Sequence, residues 1–457
     1  MIFYIAVDML EILTQVDSFV WGPPLLILLV GTGIFLSFRL GLLQVLQLPH
    51  ALKLIFKADD KEGEGDISSF AALSTALAAT IGTGNIVGVA TAIKMGGPGA
   101  LFWMWVAAFF GMATKYAEGV LAIRYRVKDE KGSASGGPMY YIVNGMGEKW
   151  RPLANFFAGG AVLTALLSTG TFTQVSSITD SIKTGLGIGS EVTGPILTVL
   201  VAIAIFGGIQ SISKISTAVV PFMALIYVLA AGTILVVNAD QLLPTLELVV
   251  KSAFSPTAAL GGFAGATVRT AIQTGIARGV FSNESGMGSA PIAAAAAKTD
   301  SPVEQGLISM TGTFIDTIIV CSLTGLSILI TGTWTGDANG ASLTQAAFGT
   351  VFGDFGAILL MLFLVLFAFT TIIGWNYYGE RCFEFLFGLR FIWIYRALYV
   401  AFVFLGAFLT VDVIWLIADI VNALMVLPNL IALLALSPIV VLETKKYLEK
   451  QKNSKEI

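Results

Sequence analysis

The chain has 457 residues, of which 56% are hydrophobic and only 12% charged, about half the roughly 25% charged share of a soluble protein. That composition excludes a soluble globular domain; at about 20 apolar residues per crossing, it allows on the order of ten membrane spans. A net charge of −3, from 26 Lys plus Arg and 29 Asp plus Glu, with no basic stripe or tail, argues against a nucleic-acid partner.

The N-terminal stretch MIFYIAVDMLEIL has no basic n-region and no small-residue cleavage site, so it does not read as a cleaved signal peptide. Apolar runs then predict eleven spans, near 18–38, 70–94, 98–126, 153–182, 194–212, 215–237, 262–298, 304–332, 347–378, 390–410 and 412–441. Below they are spans one to eleven. Residues 1–69 form an N-terminal peripheral helix and loop, 70–238 a first run of five spans, 262–441 a second, and 442–457 a basic tail. Between the runs, 239–261 is amphipathic and suits a connector lying on the extracellular membrane surface. Cys321 and Cys382 lack metal-ligand spacing and read as packing residues.

With this count, twenty Lys and Arg fall in one set of loops and in the tail, against three (Lys94, Lys183 and Lys251) in the opposite set. The positive-inside rule then places the N-terminus outside and the C-terminus in the cytoplasm of a multi-pass plasma-membrane protein. His50, the single histidine, lies in a basic cytoplasmic loop and does not suit an intramembrane proton relay.

Two spans are not ordinary. Span two carries Gly82-Thr83-Gly84-Asn85-Ile86-Val87-Gly88, and span seven carries Gln273-Thr274-Gly275-Ile276-Ala277-Arg278, continuing to Ser282-Asn283-Glu284-Ser285-Gly286-Met287-Gly288. Each glycine costs a helix roughly 1 kcal/mol relative to alanine, and with Thr, Ser and Asn the segments read as half-helices around a break. The two breaks open five-span runs of opposite orientation, the pattern of an inverted-repeat secondary transporter.

Irregular backbone at membrane depth is tolerated only where it is buried in protein or lines a polar cavity. Half-helix amides favour an anion and half-helix carbonyls a cation, which together suit a zwitterion and a metal ion. The break in span two has no charged side chain, so a small neutral amino acid fits it better than a dicarboxylate or an organic cation. Its candidate ligands are Thr83, Gly84 and Asn85; close helix packing is the competing use of these glycines. From span seven come Gln273, Gly275 and Ile276, while Arg278 and Glu284, ionisable at membrane depth, either pair with each other or act as gate residues. Lys115 and Glu118, three apart, read as a structural pair near the cytoplasmic end of span three. Further polar candidates are Thr171, Phe172 and Gln174 in span four and Thr370, Thr371 and Trp375 in span nine. Adjacent threonine hydroxyls either bond back to their own helix or offer hard oxygens to Na+.

The run Gly96-Gly97-Pro98-Gly99-Ala100-Leu101-Phe102-Trp103-Met104-Trp105-Val106-Ala107-Ala108-Phe109-Phe110-Gly111 resembles the signature of the sodium:alanine symporter family. Gly82 to Gly88, Ser135-Gly136-Gly137-Pro138-Met139-Tyr140-Tyr141 and Ser282 to Gly288 are similar to it too. The resemblance implies an all-α polytopic membrane protein with about eleven transmembrane helices and a LeuT-like fold of two inverted five-helix repeats led by broken helices. It implies Na+-coupled uptake of alanine or glycine, with substrate between spans two and seven and walled by spans four and nine. It also implies a Na+ site of carbonyls near Ala79 and Gly82 with the hydroxyls of Thr370 and Thr371. The alternative is a proton-coupled carrier of the same fold, in which Asp180, Asp316 or Glu284 titrates. Membrane lipid is the expected environment, and no obligate protein partner is evident. No apolar span carries a GxSG, HExxH or GxGD motif that would support an intramembrane protease, so no enzyme is expected.

Overall fold

In the computed structural model the described residues are 2–56, 63–255, 267–409 and 411–453. Residues 256–261 of the expected connector, the expected start of span seven at 262–266, and Lys57, Lys61 and Lys455 lie outside them. The described chain is helical apart from a two-residue hairpin after span three, where Val127 pairs with Ser135 and Lys128 with Ala134.

Eight helices are long and apolar enough to cross a membrane, nine when the bent pair Ser69–Thr80 and Gly84–Gly96 counts as one span. The expected eleven is therefore met at nine by this measure. The shortfall lies in span five, Ser190–Phe206, which is 17 residues long, and in span seven, which is interrupted after Val268–Asn283. Beyond that interruption only Ala290–Ala294 is helical, so span seven is one long half-helix and one turn rather than two comparable halves. Span nine begins later than expected: Gly340–Phe352 is a separate helix ending at Gly353, and the spanning helix is Asp354–Phe387. The connector contains a helix, Leu242–Phe254, that buries Val249 and Ala253 and leaves Leu243 exposed.

Span three, Gly99–Arg124, is the hub, with 83% of its apolar window covered by neighbouring segments. Small residues let those neighbours approach. A methyl group on Gly275 would lie 2.4 Å from the Ala100 carbonyl oxygen, and one on Gly33 would lie 2.8 Å from that of Phe110. This is the close approach that replaces hydrophobic driving force between membrane helices.

Three spans break where the chain offers local polar substitutes for helical hydrogen bonds. In span two the Gly82 amide donates to the Asn85 side-chain oxygen at 2.9 Å, and the halves diverge by 53°. In span four the break Ser168 to Thr171 separates Arg151–Leu167 from Phe172–Leu186. In span seven Glu284, Gly286 and Gly288 are all left-handed, with φ of 56°, 88° and 81°, a conformation that glycine adopts without strain and glutamate rarely. Span eight adds a wide π-helical turn, Phe314–Cys321, a form common at functional sites.

Spans two and nine bring backbone close to backbone at Gly374, where a Cβ would lie 3.0 Å from both Cα and N of Ala79. Gly374→Val is expected to force these helices apart at an overpacking cost of about 1–3 kcal/mol. A lowered unfolding temperature in detergent checks this; an unchanged one would mean the helices are not in contact there.

Candidate functional site

The breaks of spans two and seven abut, since a Cβ on Gly84 would come within 3.1 Å of Ser282 Cα and 3.3 Å of the Phe281 ring. Span nine lies against the other side of the span-two break, where the Thr371 hydroxyl is 3.1 Å from the Ala78 carbonyl oxygen, 3.4 Å from that of Ile81 and 3.0 Å from that of its own Phe367. A hydroxyl donates one proton, so three carbonyl oxygens converge on a single donor. The Phe367 carbonyl also accepts from Thr370 at 2.9 Å. Such an excess of hard oxygen acceptors in a buried place suits a small monovalent cation. Among the described residues no group of three His, Cys, Asp or Glu side chains could hold a metal, so any ion here rests on carbonyls and hydroxyls. The carbonyls that converge belong to Ala78 and Ile81, one residue before the expected Ala79 and Gly82, because the helix ends at Thr80 and Ile81 is already extended.

Gln174 reaches the same break from span four, its side-chain oxygen accepting the Thr83 amide at 3.2 Å. The Thr83 hydroxyl is fully buried and has no hydrogen-bond partner among the described residues, and a buried hydroxyl left so costs free energy. Thr83, Gly84, Gln174 and Thr371 thus all lie at or against the span-two break. The glycines serve close packing as well: a Cβ on Gly82 would sit 2.5 Å from the Thr371 hydroxyl and 3.2 Å from the Gln174 oxygen.

Asn85 does something other than face a ligand. Its amide nitrogen donates to Asp316 Oδ1 at 2.7 Å, while Ser282 and Thr317 donate to Asp316 Oδ2 at 2.9 and 2.7 Å. The buried carboxylate of span eight therefore ties the two breaks together, and with three donors it is satisfied by its own neighbours.

Several expected site residues lie elsewhere. Phe172 stacks on Phe402 of span ten at 5.7 Å, and Thr171 donates to its own backbone at Leu166, 2.5 Å away. Gln273 donates to the Trp21 carbonyl at 3.3 Å, Gly275 packs on span three, and Ile276 joins the apolar core. These departures share a cause, since a helix turns 100° per residue and sequence neighbours of a break residue point away from it. The Thr370 hydroxyl, besides bonding Phe367, lies 3.8 Å from Met223 Sδ on span six.

Arg278 and Glu284 do not pair. Arg278 forms a two-pronged ion pair with Asp419 of span eleven, at 3.0 and 2.6 Å, and its guanidinium lies over the rings of Phe281 and Trp415. Glu284 instead accepts from Trp375 Nε1 at 2.8 Å and from Ser289. Above Arg278 opens a cavity of about 420 Å³, lined by Val87, Ser177, Asp180, Gln345, Leu360 and Trp415 among others. At the arginine-rich end of the bundle a second cavity of about 920 Å³ is bordered by Asp129, Arg381 and Arg396. There Arg381 bridges Asp129 at 3.2 Å and Glu384 at 2.8 Å, joining the hairpin after span three to span nine. An ion pair thus borders each of the two cavities.

Sequence reasoning passed over Asp419, Phe281 and Trp415. Asp419 carried the signal that marked Arg278, an ionisable residue within an apolar span; the aromatics carried none.

Two abutting broken spans at membrane depth, with carbonyls converging on a buried hydroxyl between them, fit a transporter. The profile described as "Sodium:alanine symporter family" matches residues 7–457. The chain belongs to the sodium:alanine symporter family. It is 50% identical over 455 residues to "Sodium/alanine symporter AgcS" of Methanococcus maripaludis, covering 98% of this chain and 99% of that protein. It is 38% identical over 444 residues to "Probable sodium/glutamine symporter GlnT" of Bacillus subtilis, covering 96% and 91%. Among solved structures it is similar to MhsT in complex with L-phenylalanine, with a TM-score of 0.55 and 15% identity, covering 83% of this chain and 99% of that one. This last likeness is one of fold: the symporter has the LeuT-like arrangement.

In the symporter the Arg278 and Asp419 side chains are 17% and 9% exposed. Removing one partner of a buried pair typically costs roughly 3–5 kcal/mol, because the other charge is left desolvated. Arg278→Met and Asp419→Leu are each expected to lose about 3 kcal/mol, and the double variant to regain most of it. Equal losses that simply add in a denaturation cycle would show that the two side chains are independent.

Proposed function

We propose that this chain couples inward Na+ flow to uptake of a small neutral amino acid, alanine or glycine, by alternating access. The observation that carries this reading is the convergence of three carbonyl oxygens on the Thr371 hydroxyl. Na+ would be held by the carbonyls of Ala78, Ile81 and Phe367 with the hydroxyls of Thr370 and Thr371, all hard oxygen donors. The substrate would lie beside it at Thr83, Gly84 and Gln174, with Phe281 covering it from the outer cavity and Trp375 nearby in span nine. Ion and substrate then share the wall of one break, and either one stiffens it for the other, a coupling free energy that is reciprocal.

The donor count favours Na+ over the proton alternative. Asp316 already has three donors, Glu284 is bonded by Trp375 and Ser289, and Asp180 lines the outer cavity rather than the cluster around Thr371. The acceptor-rich place is at Thr371, where no group titrates near neutral pH. Arg278 with Asp419 acts as the outer gate, and Arg381 with Asp129 and Glu384 as the cytoplasmic one. The loop charges put the N-terminus outside and the C-terminus in the cytoplasm of the cell membrane. A membrane potential adds about 2.3 kcal/mol per charge per 100 mV, enough to concentrate a neutral substrate. No catalytic chemistry is assigned.

Uptake of labelled alanine into proteoliposomes under an imposed Na+, H+ or K+ gradient tests this. Accumulation driven by Na+ and blocked by glycine but not leucine is expected; accumulation driven by protons alone would sink the ion site. Thr371→Val keeps the shape and removes the oxygen. It is expected to raise the half-saturating Na+ concentration at least tenfold, about 1.4 kcal/mol, and an unchanged Na+ dependence would move the ion elsewhere.

A further inference from the structure

The break in span seven exposes more backbone than the one in span two, and its partners come from span three. The Lys115 ammonium donates to the carbonyl of Asn283, the last residue of the long half-helix, at 2.8 Å. One turn along the same face, Glu118 Oε1 accepts from the amides of Gly286 and Gly288, each at 3.1 Å, and from Asn429 Nδ2 at 2.7 Å. Asn429 also donates to the Gly286 carbonyl at 2.9 Å. Lys115 is 2% exposed and Glu118 fully buried. The two side chains therefore do not serve each other as an isolated pair near a helix end. A cation meets the carbonyl end of a half-helix, where the helix dipole favours positive charge, and an anion meets the amides that follow the break.

We propose that Lys115 and Glu118 are positioning residues that hold span seven broken and so fix the half-helix end that abuts the break of span two. This rests on the transport reading above. It follows from the accounting of polar groups at the break: the Asn283 carbonyl and the Gly286 and Gly288 amides, freed where the half-helix ends, take charged partners from span three. On span two the partners are neutral, and the Thr83 hydroxyl has none. Spans three and seven then move as one body between the two gates.

The test compares variants that keep the hydrogen-bonding atom with variants that keep only the volume. Glu118→Gln retains an oxygen for the Gly286 and Gly288 amides, and Lys115→Gln retains an N–H donor; Glu118→Leu and Lys115→Met retain bulk alone. In proteoliposomes the maximal rate of Na+-driven alanine uptake is expected to stay within about threefold of wild type for Glu118→Gln, to be intermediate for Lys115→Gln, and to fall more than tenfold for Leu and Met. KM for alanine should move less than threefold in all four. The reverse order, apolar variants better than amides, would mean the residues only fill space. A tenfold rise in KM at unchanged maximal rate would make them substrate ligands. Either outcome overturns the proposal.

A second readout needs no substrate. Cys321 is buried beside the break, 3.2 Å from the Ser282 hydroxyl, and in a Cys382→Ala background it is the chain's one thiol. Its labelling by a small maleimide should be slow in wild type and Glu118→Gln and at least tenfold faster in Glu118→Leu and Lys115→Met. Equal labelling in all would overturn the positioning role. If wild type shows no Na+-driven alanine uptake, the transport reading fails by itself, and the labelling order still decides what holds the break.

Discussion

Backbone N–H and C=O groups that leave a helix at membrane depth must find partners inside the protein, and the architecture of this chain follows from how three breaks meet that demand. Each unsatisfied group costs several kcal/mol in hydrocarbon, so a broken span cannot face lipid. Span four is met by neutral side chains: Thr173 donates to the Ser168 carbonyl at 3.3 Å, and Tyr399 donates to the Gly170 carbonyl at 2.7 Å. Span seven is met by the ionic side chains of span three. Span two is met partly by Asn85 and Gln174, and its remaining carbonyls crowd around Thr371. The breaks are thus buried by one another and by the spans that supply their partners, and this explains why span three is the most covered helix.

The partner inventory also decides where a ligand can act. A break satisfied by charged side chains is finished as structure, because the charges would have to be displaced before anything else could bind. A break satisfied by neutral groups, with acceptors in excess, remains open to a cation and to the amide-seeking end of a zwitterion. Composition alone does not separate the two cases. Span seven looked the richer site in sequence because Arg278 and Glu284 stand in it, yet both are engaged by protein groups, at Asp419 and at Trp375.

Much of the fold was legible because hydropathy and loop charge depend on the membrane, not on tertiary detail. The same signals marked the breaks of spans two and seven through glycine beside Thr, Ser and Asn. Span four carried that signature in Ser168-Thr169-Gly170-Thr171, and reading its hydroxyls as ligands hid that they interrupt the helix. The site was legible only in part. Thr83, Gly84, Gln174 and Thr371 lie around the span-two break, whereas Phe172, Gln273 and Gly275, close to a break in sequence, pack elsewhere. Lys115 and Glu118 were misread because the three-residue spacing describes neighbours on one helix and says nothing of a broken helix lying across it.

The contrast between Asp316 and Thr371 is the last step. Both lie at the junction of the breaks, and charge alone would send a cation to the carboxylate. Asp316, however, receives donors from Asn85, Ser282 and Thr317; a cation there would have to turn each of them away, losing charge-assisted hydrogen bonds that are about twice as strong as neutral ones. At Thr371 the carbonyls of Ala78 and Ile81, freed where the span-two helix ends, share one hydroxyl proton with that of Phe367, so an ion meets neutral oxygens there without displacing donors from a carboxylate. The carboxylate therefore acts as the clasp that makes the two breaks one unit. The neutral oxygens form the place where an ion changes the energy of that unit, and an ion-coupled carrier needs these two roles to be separate.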